Sequence, residues 1–244
     1  MIIDIEKILK RHSIYVNDVV QVGAHKGEEV AIYKQLNKES KIYLFEPQKK
    51  LFLFLERRFF NDKNIFIFNT ALGDSEGKLN MYKDKNNDSQ SSSLLKPKDH
   101  LLYHSYIEFS FDTNEFVEIK TLDSFNIQNV NLLCIDVQGY ELKVLKGAKK
   151  ILPQCEAILV EINRKELYEG CPNVKELDLH LKEYGFVRYV TKWWKGTIPW
   201  GDAMYIKKEK LNLFHLLFLK LLNFINTKSI TYFFIGMLKR LIKN

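Results

Sequence analysis

Two apolar runs, Leu133-Cys134-Ile135 and Leu159-Val160, each end on an acid, Asp136 and Glu161. A run of that kind fits a strand buried on both faces, and the acid that ends it emerges at the edge of the sheet. Two carboxylates from neighbouring strand ends could hold a divalent metal, orient a substrate hydroxyl, or remove its proton as a general base. One of them could instead only accept hydrogen bonds from loop amides. His104, in a polar stretch far from both in sequence, is a third candidate for proton transfer. Glu141 stands one helical turn further in and reads more simply as a partner of a helix N-terminus.

A third acid, Glu46, ends another apolar run, Ile42-Tyr43-Leu44-Phe45, one strand-helix-strand unit after Val19-Val20-Gln21-Val22-Gly23-Ala24-His25-Lys26-Gly27. Glycine suits a tight turn that passes close to a ligand, and an acid on the next strand can accept two hydrogen bonds from ribose hydroxyls. The loop lacks a full G-x-G-x-x-G, so phosphate cradling has little support. A cofactor with a ribose and no pyrophosphate fits better, and S-adenosylmethionine is the common one. The bland alternative is an ordinary β-to-α turn.

The elements that must hold these residues follow from periodicity. Strands are expected at 18–22, 41–45, 65–69, 132–136 and 157–162, with a closing pair at 186–190 and 203–206. Helices are expected at 2–12, 28–36, 48–60, from 139 to near 147, and at 174–184. Strands alternating with helices argue an α/β fold with a doubly wound, mostly parallel sheet. Ligands sit at the carboxyl ends of such strands. Between 77 and 119 the texture turns polar and alternating, which reads as a surface insertion. Its serines, Ser91-Ser92-Ser93, are either flexible filler or a loop folding over the cofactor. Trp193, Trp194 and Trp200 cluster before the last strand, either as an aromatic lid for a sugar ring or as a cap on the core.

Charge divides the chain. Of 37 basic and 30 acidic residues, eight and one fall at 207–244, leaving 29 of each in the rest. A neutral body is a poor polyanion binder, which argues against a nucleic-acid partner. The apolar segment at 211–225 carries Asn212, His215, Lys220 and Asn223 within one helical arc that the following Asn226 continues, and a second segment at 230–242 carries Lys239 and Arg240. Lys220 and Asn223 interrupt the run of about 20 apolar residues that a membrane span needs. Two basic amphipathic helices suit either an anionic membrane surface or a partner subunit. Three cysteines without metal-ligand spacing indicate a reducing compartment. The first residues have no secretory pattern. A cytoplasmic protein, peripheral on the inner membrane face through its tail, is the expectation.

In order and spacing, Ala71-Leu72-Gly73-Asp74, Ser92-Ser93-Leu94, Thr121-Leu122-Asp123, Ile135-Asp136-Val137-Gln138-Gly139-Tyr140-Glu141, Val144-Leu145-Lys146-Gly147-Ala148 and Val160-Glu161-Ile162 resemble the FkbM-type S-adenosylmethionine-dependent methyltransferases. The resemblance covers about residues 18–206. It implies a Rossmann-like class I methyltransferase sheet with a reversed last strand, and O-methylation of a hydroxyl on a sugar, glycan or related metabolite. It also implies that Gly23, Ala24 and His25 line the methionine portion, Glu46 the ribose, and Ala71 and Leu72 the adenine, with Gly27 and Pro47 also among the cofactor-binding residues. Ser92, Ser93 and Val137 join this set, and Asp136 stands between cofactor and acceptor. Two positions depart from the family pattern. Gln21 stands where an acid is usual, and His25 where Asn is frequent.

The reading is therefore a methyltransferase domain at 1–206 and a basic helical tail at 207–244. Asp136, Glu161 and His104 are the catalytic candidates, and Asp136 and Glu161 the ligands of any metal. A membrane-attached scaffold of glycan assembly, keeping the fold without catalysis, is the alternative, and neutral Gln21 is its one support.

Overall fold

The computed structural model describes residues 3–194 and 199–211. The tail segments at 212–244 and their expected membrane or subunit contacts lie outside the described residues. So does the middle of the tryptophan-rich loop, 195–198.

The chain opens with helix α1 (Ile5–Arg11), capped by the Asp4 side chain, which accepts from the Lys7 N–H at 3.1 Å. Strand β1 (Asp18–Val22), helix α2 (Val30–Leu36), strand β2 (Ile42–Phe45), helix α3 (Lys49–Arg58) and strand β3 (Ile65–Phe68) follow. After an excursion come β7 (Val130–Ile135), α5 (Glu141–Lys146), β8 (Ala157–Asn163), α6 (Val174–Glu183), β9 (Phe186–Trp193) and β10 (Trp200–Lys207). These strands form one seven-stranded sheet in the order β3-β2-β1-β7-β8-β10-β9. Every neighbour pair from β3 to β8 is parallel, and β10 runs antiparallel to both β8 and β9. The chain winds outward from β1 through β2 and β3, then returns to β7 on the other side of β1. That reversal opens a crevice at the carboxyl ends of β1 and β7.

Alternation along the strands feeds two cores. Val20 and Val22 of β1 face a layer with Val144 and Leu145 of α5 and Leu177 and Leu181 of α6. Val19 faces Leu9 of α1, Tyr33 of α2 and Leu55 of α3. Every residue of β7 is buried, as expected of a central parallel strand covered on both faces. Leu211 still belongs to the second core, so the packed body runs past the end of β10.

The segment expected as a surface insertion builds a sheet of its own. Strands β4 (Ala71–Leu72), β5 (Gly77–Asp84) and β6 (Phe109–Lys120) pair in the order β4-β6-β5, with helix α4 (His100–Tyr103) in the connection. Its strands are mostly exposed or half-buried, which is why their pattern read as polar filler. The closing pair is also longer than expected: Trp193 ends β9 and Trp200 begins β10, so these rings stand on a hairpin rather than in a free loop.

Candidate active site

Gly23 turns β1 into the crevice at φ +78°, and a Cβ there would lie 1.9 Å from the Asp136 carbonyl oxygen. Glycine alone lets the ends of β1 and β7 approach so closely. The Gly23 and Ala24 N–H groups both donate to the Phe45 carbonyl at 3.0 Å, joining the turn to the end of β2. Glu46 follows Phe45. Its carboxylate accepts from the His25 N–H at 3.0 Å through one oxygen and from the Gln48 N–H at 2.9 Å through the other. A carboxylate has about four acceptor positions, so each oxygen keeps one for a ligand. Burial is the main influence on Glu46 and raises it to about 7, against the two N–H donors and His25.

Gln21, where the family pattern favours an acid, is engaged inside the protein. The buried Tyr33 hydroxyl donates to its amide oxygen, and its amide nitrogen donates to the Gly23 carbonyl at 3.2 Å. The residue thus braces the glycine turn. His25 bonds the Glu28 carboxylate through Nδ1 and the Asp88 carbonyl through Nε2, each at 2.7 Å. Two acceptors on one ring call for two N–H groups, so the imidazolium form fits. Burial works against that charge, but the Asp88 and Glu28 bonds outweigh it and the pKa is raised. Lys26 pairs with the Asp88 carboxylate, so the loop at 85–93 is fastened to the glycine turn twice.

That loop is ordered rather than filler. The Asp84 carboxylate accepts from the N–H groups of Asn87, Ser89 and Ser91 at 3.0, 2.9 and 2.7 Å. Ser91, Ser92 and Ser93 are all buried.

Across the crevice, Asp136 follows β7 and Glu161 lies in β8. One amide spans them: Gln138 Nε2 donates to Asp136 at 2.8 Å and to Glu161 at 3.0 Å. Asp202 on β10 pairs in register with Glu161. Glu141 lies behind, fully buried, with one oxygen accepting from the Gly139 N–H at 2.9 Å and the other without a partner. Burial raises Glu161 well above the carboxylate range, and Asp136, Glu141 and Asp202 add to it. Burial also raises Asp136, with the Gln138 bond opposing and Asp202 adding. Asp136 is open to the cavity, so water reaches it and its rise is smaller than that of Glu161. Of the two, Asp136 is the one whose charged form the cavity hydrates.

The crevice is a cavity of about 700 Å³. Gly23, His25, Glu46, Pro47, Ala71 and Leu72 border one half of it. Asp136, Val137, Glu161, Ser92 and His104 border the rest, so most of the residues expected at the site converge there. Three do not. Ala24 is fully buried in the core on the α1–α3 side of the sheet. Gly27 turns its α-carbon toward Phe59 and Leu55. Ser93 is also fully buried, donating through its hydroxyl to the Gln138 carbonyl at 2.7 Å. Among the described residues, no three His, Cys, Asp or Glu side chains are arranged to hold a metal ion. Cys134, Cys155 and Cys171 are free and buried. No helix among the described residues is long and apolar enough to cross a membrane.

Sequence reasoning passed over His100, Tyr106 and Gln138, and did not give Asp202 a role. His100 and Trp200 stack nearly parallel at 6.2 Å, and His104 lies 4.9 Å from the same indole. Burial brings His100 down to about 4, with His104 adding to the effect. Burial lowers His104 as well, so both rings are neutral near pH 7. Alternation along β10 gave one usable signal, since Trp200 and Asp202 are two residues apart and share a face of the sheet.

Known proteins share this fold. A crystal structure of the methyltransferase FkbM from Methylobacillus flagellatus superposes with a TM-score of 0.54 at 13% identity, over 78% of this chain and 43% of that one. The 2-O-methyltransferase NoeI of Sinorhizobium fredii is 25% identical over 161 residues, 62% of this chain and 65% of NoeI. The chain therefore spans just under two thirds of that relative's length. The first supports a Rossmann-like class I methyltransferase sheet with its reversed last strand. The family model described as the methyltransferase FkbM domain matches residues 21–188, from the glycine turn through the strands that carry Asp136 and Glu161, and the chain belongs to that family.

Proposed function

We propose that the chain transfers a methyl group from S-adenosylmethionine to a hydroxyl of a sugar, glycan or related metabolite. One observation carries the reading: a single cavity joins Glu46, with a free acceptor position on each carboxylate oxygen, to the carboxyl pair Asp136 and Glu161. When bound, the cofactor supplies an electrophilic methyl group on a sulfonium. Glu46 would hold the ribose hydroxyls, Ala71 and Leu72 the adenine, and the Gly23 turn the methionine portion.

Asp136 accepts the acceptor's hydroxyl proton as that oxygen bonds the methyl carbon and the carbon–sulfur bond breaks. In-line positioning supplies much of the acceleration, and proton removal about 10²–10⁴-fold more. The side chains at the Asp136 end, Asp136, Glu161 and two neutral histidines, offer both donors and acceptors, which suits a ligand bearing several hydroxyls. The nearly parallel His100 and Trp200 rings, with Trp194 and Tyr106 beside the cavity, suit the apolar face of a sugar ring. The relative NoeI is a 2-O-methyltransferase, which agrees with transfer to oxygen. Asp136 and Glu161 act here as acid and base groups.

We assign this chemistry to residues 1–206, and to the basic tail at 207–244 attachment to an anionic membrane surface on the cytoplasmic side. Calorimetric titration with S-adenosylmethionine tests the first half of the proposal. Release of S-adenosylhomocysteine over a panel of nucleotide-sugars and cell-envelope glycans tests the second. Absence of binding heat would return the chain to the scaffold alternative.

A further inference from the structure

Gln138 takes no part in the reaction just described, yet three hydrogen bonds meet on its side chain. It sits at φ +55°, a left-handed conformation that a non-glycine residue adopts at a cost and that its surroundings must enforce. Its amide nitrogen uses both hydrogens, one on Asp136 and one on Glu161. Its amide oxygen lies 3.0 Å from the buried Tyr168 hydroxyl, which lies 2.9 Å from the Ser91 carbonyl. Its backbone carbonyl accepts from Ser93. One side chain therefore links the carboxyl pair to the ordered loop at 85–93, which is itself fastened over the glycine turn through Asp88.

We propose that Gln138 is the positioning residue of this site, holding Asp136 and Glu161 side by side for the acceptor hydroxyl and tying that pair to the covering loop. The inference rests on the reading that Asp136 receives the acceptor's proton. Two carboxyls from adjacent strands repel when both are ionised. The groups around them add to that repulsion: Asp202 on β10, Glu141 on α5, and Glu29 ahead of α2. His25, from the glycine turn, offsets it. Two donated hydrogen bonds from a neutral amide counter the repulsion without adding a competing charge. They also fix which oxygens stay free to face the cavity. The Tyr168 hydroxyl shares one proton between the Ser91 carbonyl and the amide oxygen, and donation to the amide oxygen favours the orientation that turns the amide nitrogen toward the two carboxyls.

The test compares the full chain with Gln138→Leu and Tyr168→Phe by following the side-chain carboxyl carbons of Asp136 and Glu161 by NMR as pH is varied. Loss of the donors in Gln138→Leu should move the midpoint of the lower-titrating carboxyl up by about one unit. Tyr168→Phe keeps the donors but frees the amide, and should move it the same way by less. Unmoved midpoints in both variants would overturn the proposal, and if Gln138→Leu does not fold, unmoved midpoints in Tyr168→Phe alone would do so. With an acceptor in hand, the acid limb of the rate profile should rise with the midpoint while cofactor affinity stays within about threefold. A uniform fall in rate with an unmoved limb would reduce Gln138 to a structural residue and likewise overturn the proposal. A wild-type chain that methylates no hydroxyl defeats the proposed function instead, and the carbon titration still decides whether Gln138 governs the pair.

Discussion

The two halves of the cavity are built from different materials. At the Gly23–Glu46 end the framework is largely backbone: N–H groups on the Phe45 carbonyl and on both oxygens of Glu46, and a glycine turn that no other residue fits. At the Asp136–Glu161 end it is side chains: acids from three strands, an amide between two of them, and rings from α4 and the β9–β10 hairpin. Backbone geometry changes little with sequence, whereas a side-chain network depends on every member. The first end is therefore the less sensitive of the two to substitution, and the second the more sensitive.

Substitutions should separate the halves. Asp136→Asn is expected to lower kcat about 10²–10⁴-fold, some 3–5 kcal/mol of barrier, while S-adenosylmethionine binds within about threefold of wild type. Parallel rate and calorimetric measurements check this, and a matching loss of affinity would merge the two halves. Gly23→Ala should do the reverse of a selective change, costing about 3 kcal/mol of stability or more through the left-handed backbone and the clash with Asp136, as read by thermal unfolding.

Glu141 sharpens the contrast through pH. Burial raises it to about 7, with N–H bonds opposing and Asp136 adding, above a carboxylate's ordinary value of about 4.5. The folded chain therefore binds this proton more tightly than the unfolded chain does, and the group's contribution to stability falls as pH rises from about 4.5 to 7. Glu141→Gln should flatten that part of the stability curve by on the order of 1–3 kcal/mol in chemical denaturation.

Glu46→Gln is expected to weaken cofactor binding about tenfold near pH 8, roughly the worth of one hydrogen bond to a charged group. In the wild type the affinity should decline as pH falls through about 7, where Glu46 gains its proton. Asp88→Ala should matter least. It removes the Lys26 partner but keeps the carbonyl that His25 holds, and a change in KM of no more than about twofold is expected from initial rates.

The same contrast governs what the sequence conveyed. Glu46 and Asp136 were legible because each ends an apolar run, and strand periodicity alone sends it to the sheet's edge. The strands of the main sheet were legible for the same reason, with β2 beginning at Ile42, one residue later than expected. Strands β5 and β6 were not, since their pattern is diluted where both faces meet solvent. Ser92 and Ser93 looked alike in sequence, but the bridge between Ser93 and Tyr82 fixes their directions, so one borders the cavity and the other bonds Gln138 beneath it. Gln138 and His100 owe their roles to partners distant in the chain, Tyr168 and Trp200 among them, and no local pattern announces such contacts.

The small sheet leaves and rejoins the main body at one place. Ala71 and Leu72 pair with Ile119 and Lys120, and the backbone at Gly73 presses on Gly147, where a Cβ would lie 1.9 Å from the Gly73 oxygen. The two ends of the excursion are therefore neighbours on a rigid footing, and the length of chain between them adds little to the entropy of closing it. What lies between is moored as well, Asp88 to His25 and Lys26, Ser93 to Gln138 and Ser91 to Tyr168, so a longer or shorter 74–118 would be felt at the mouth of the cavity before the body of the fold registered it.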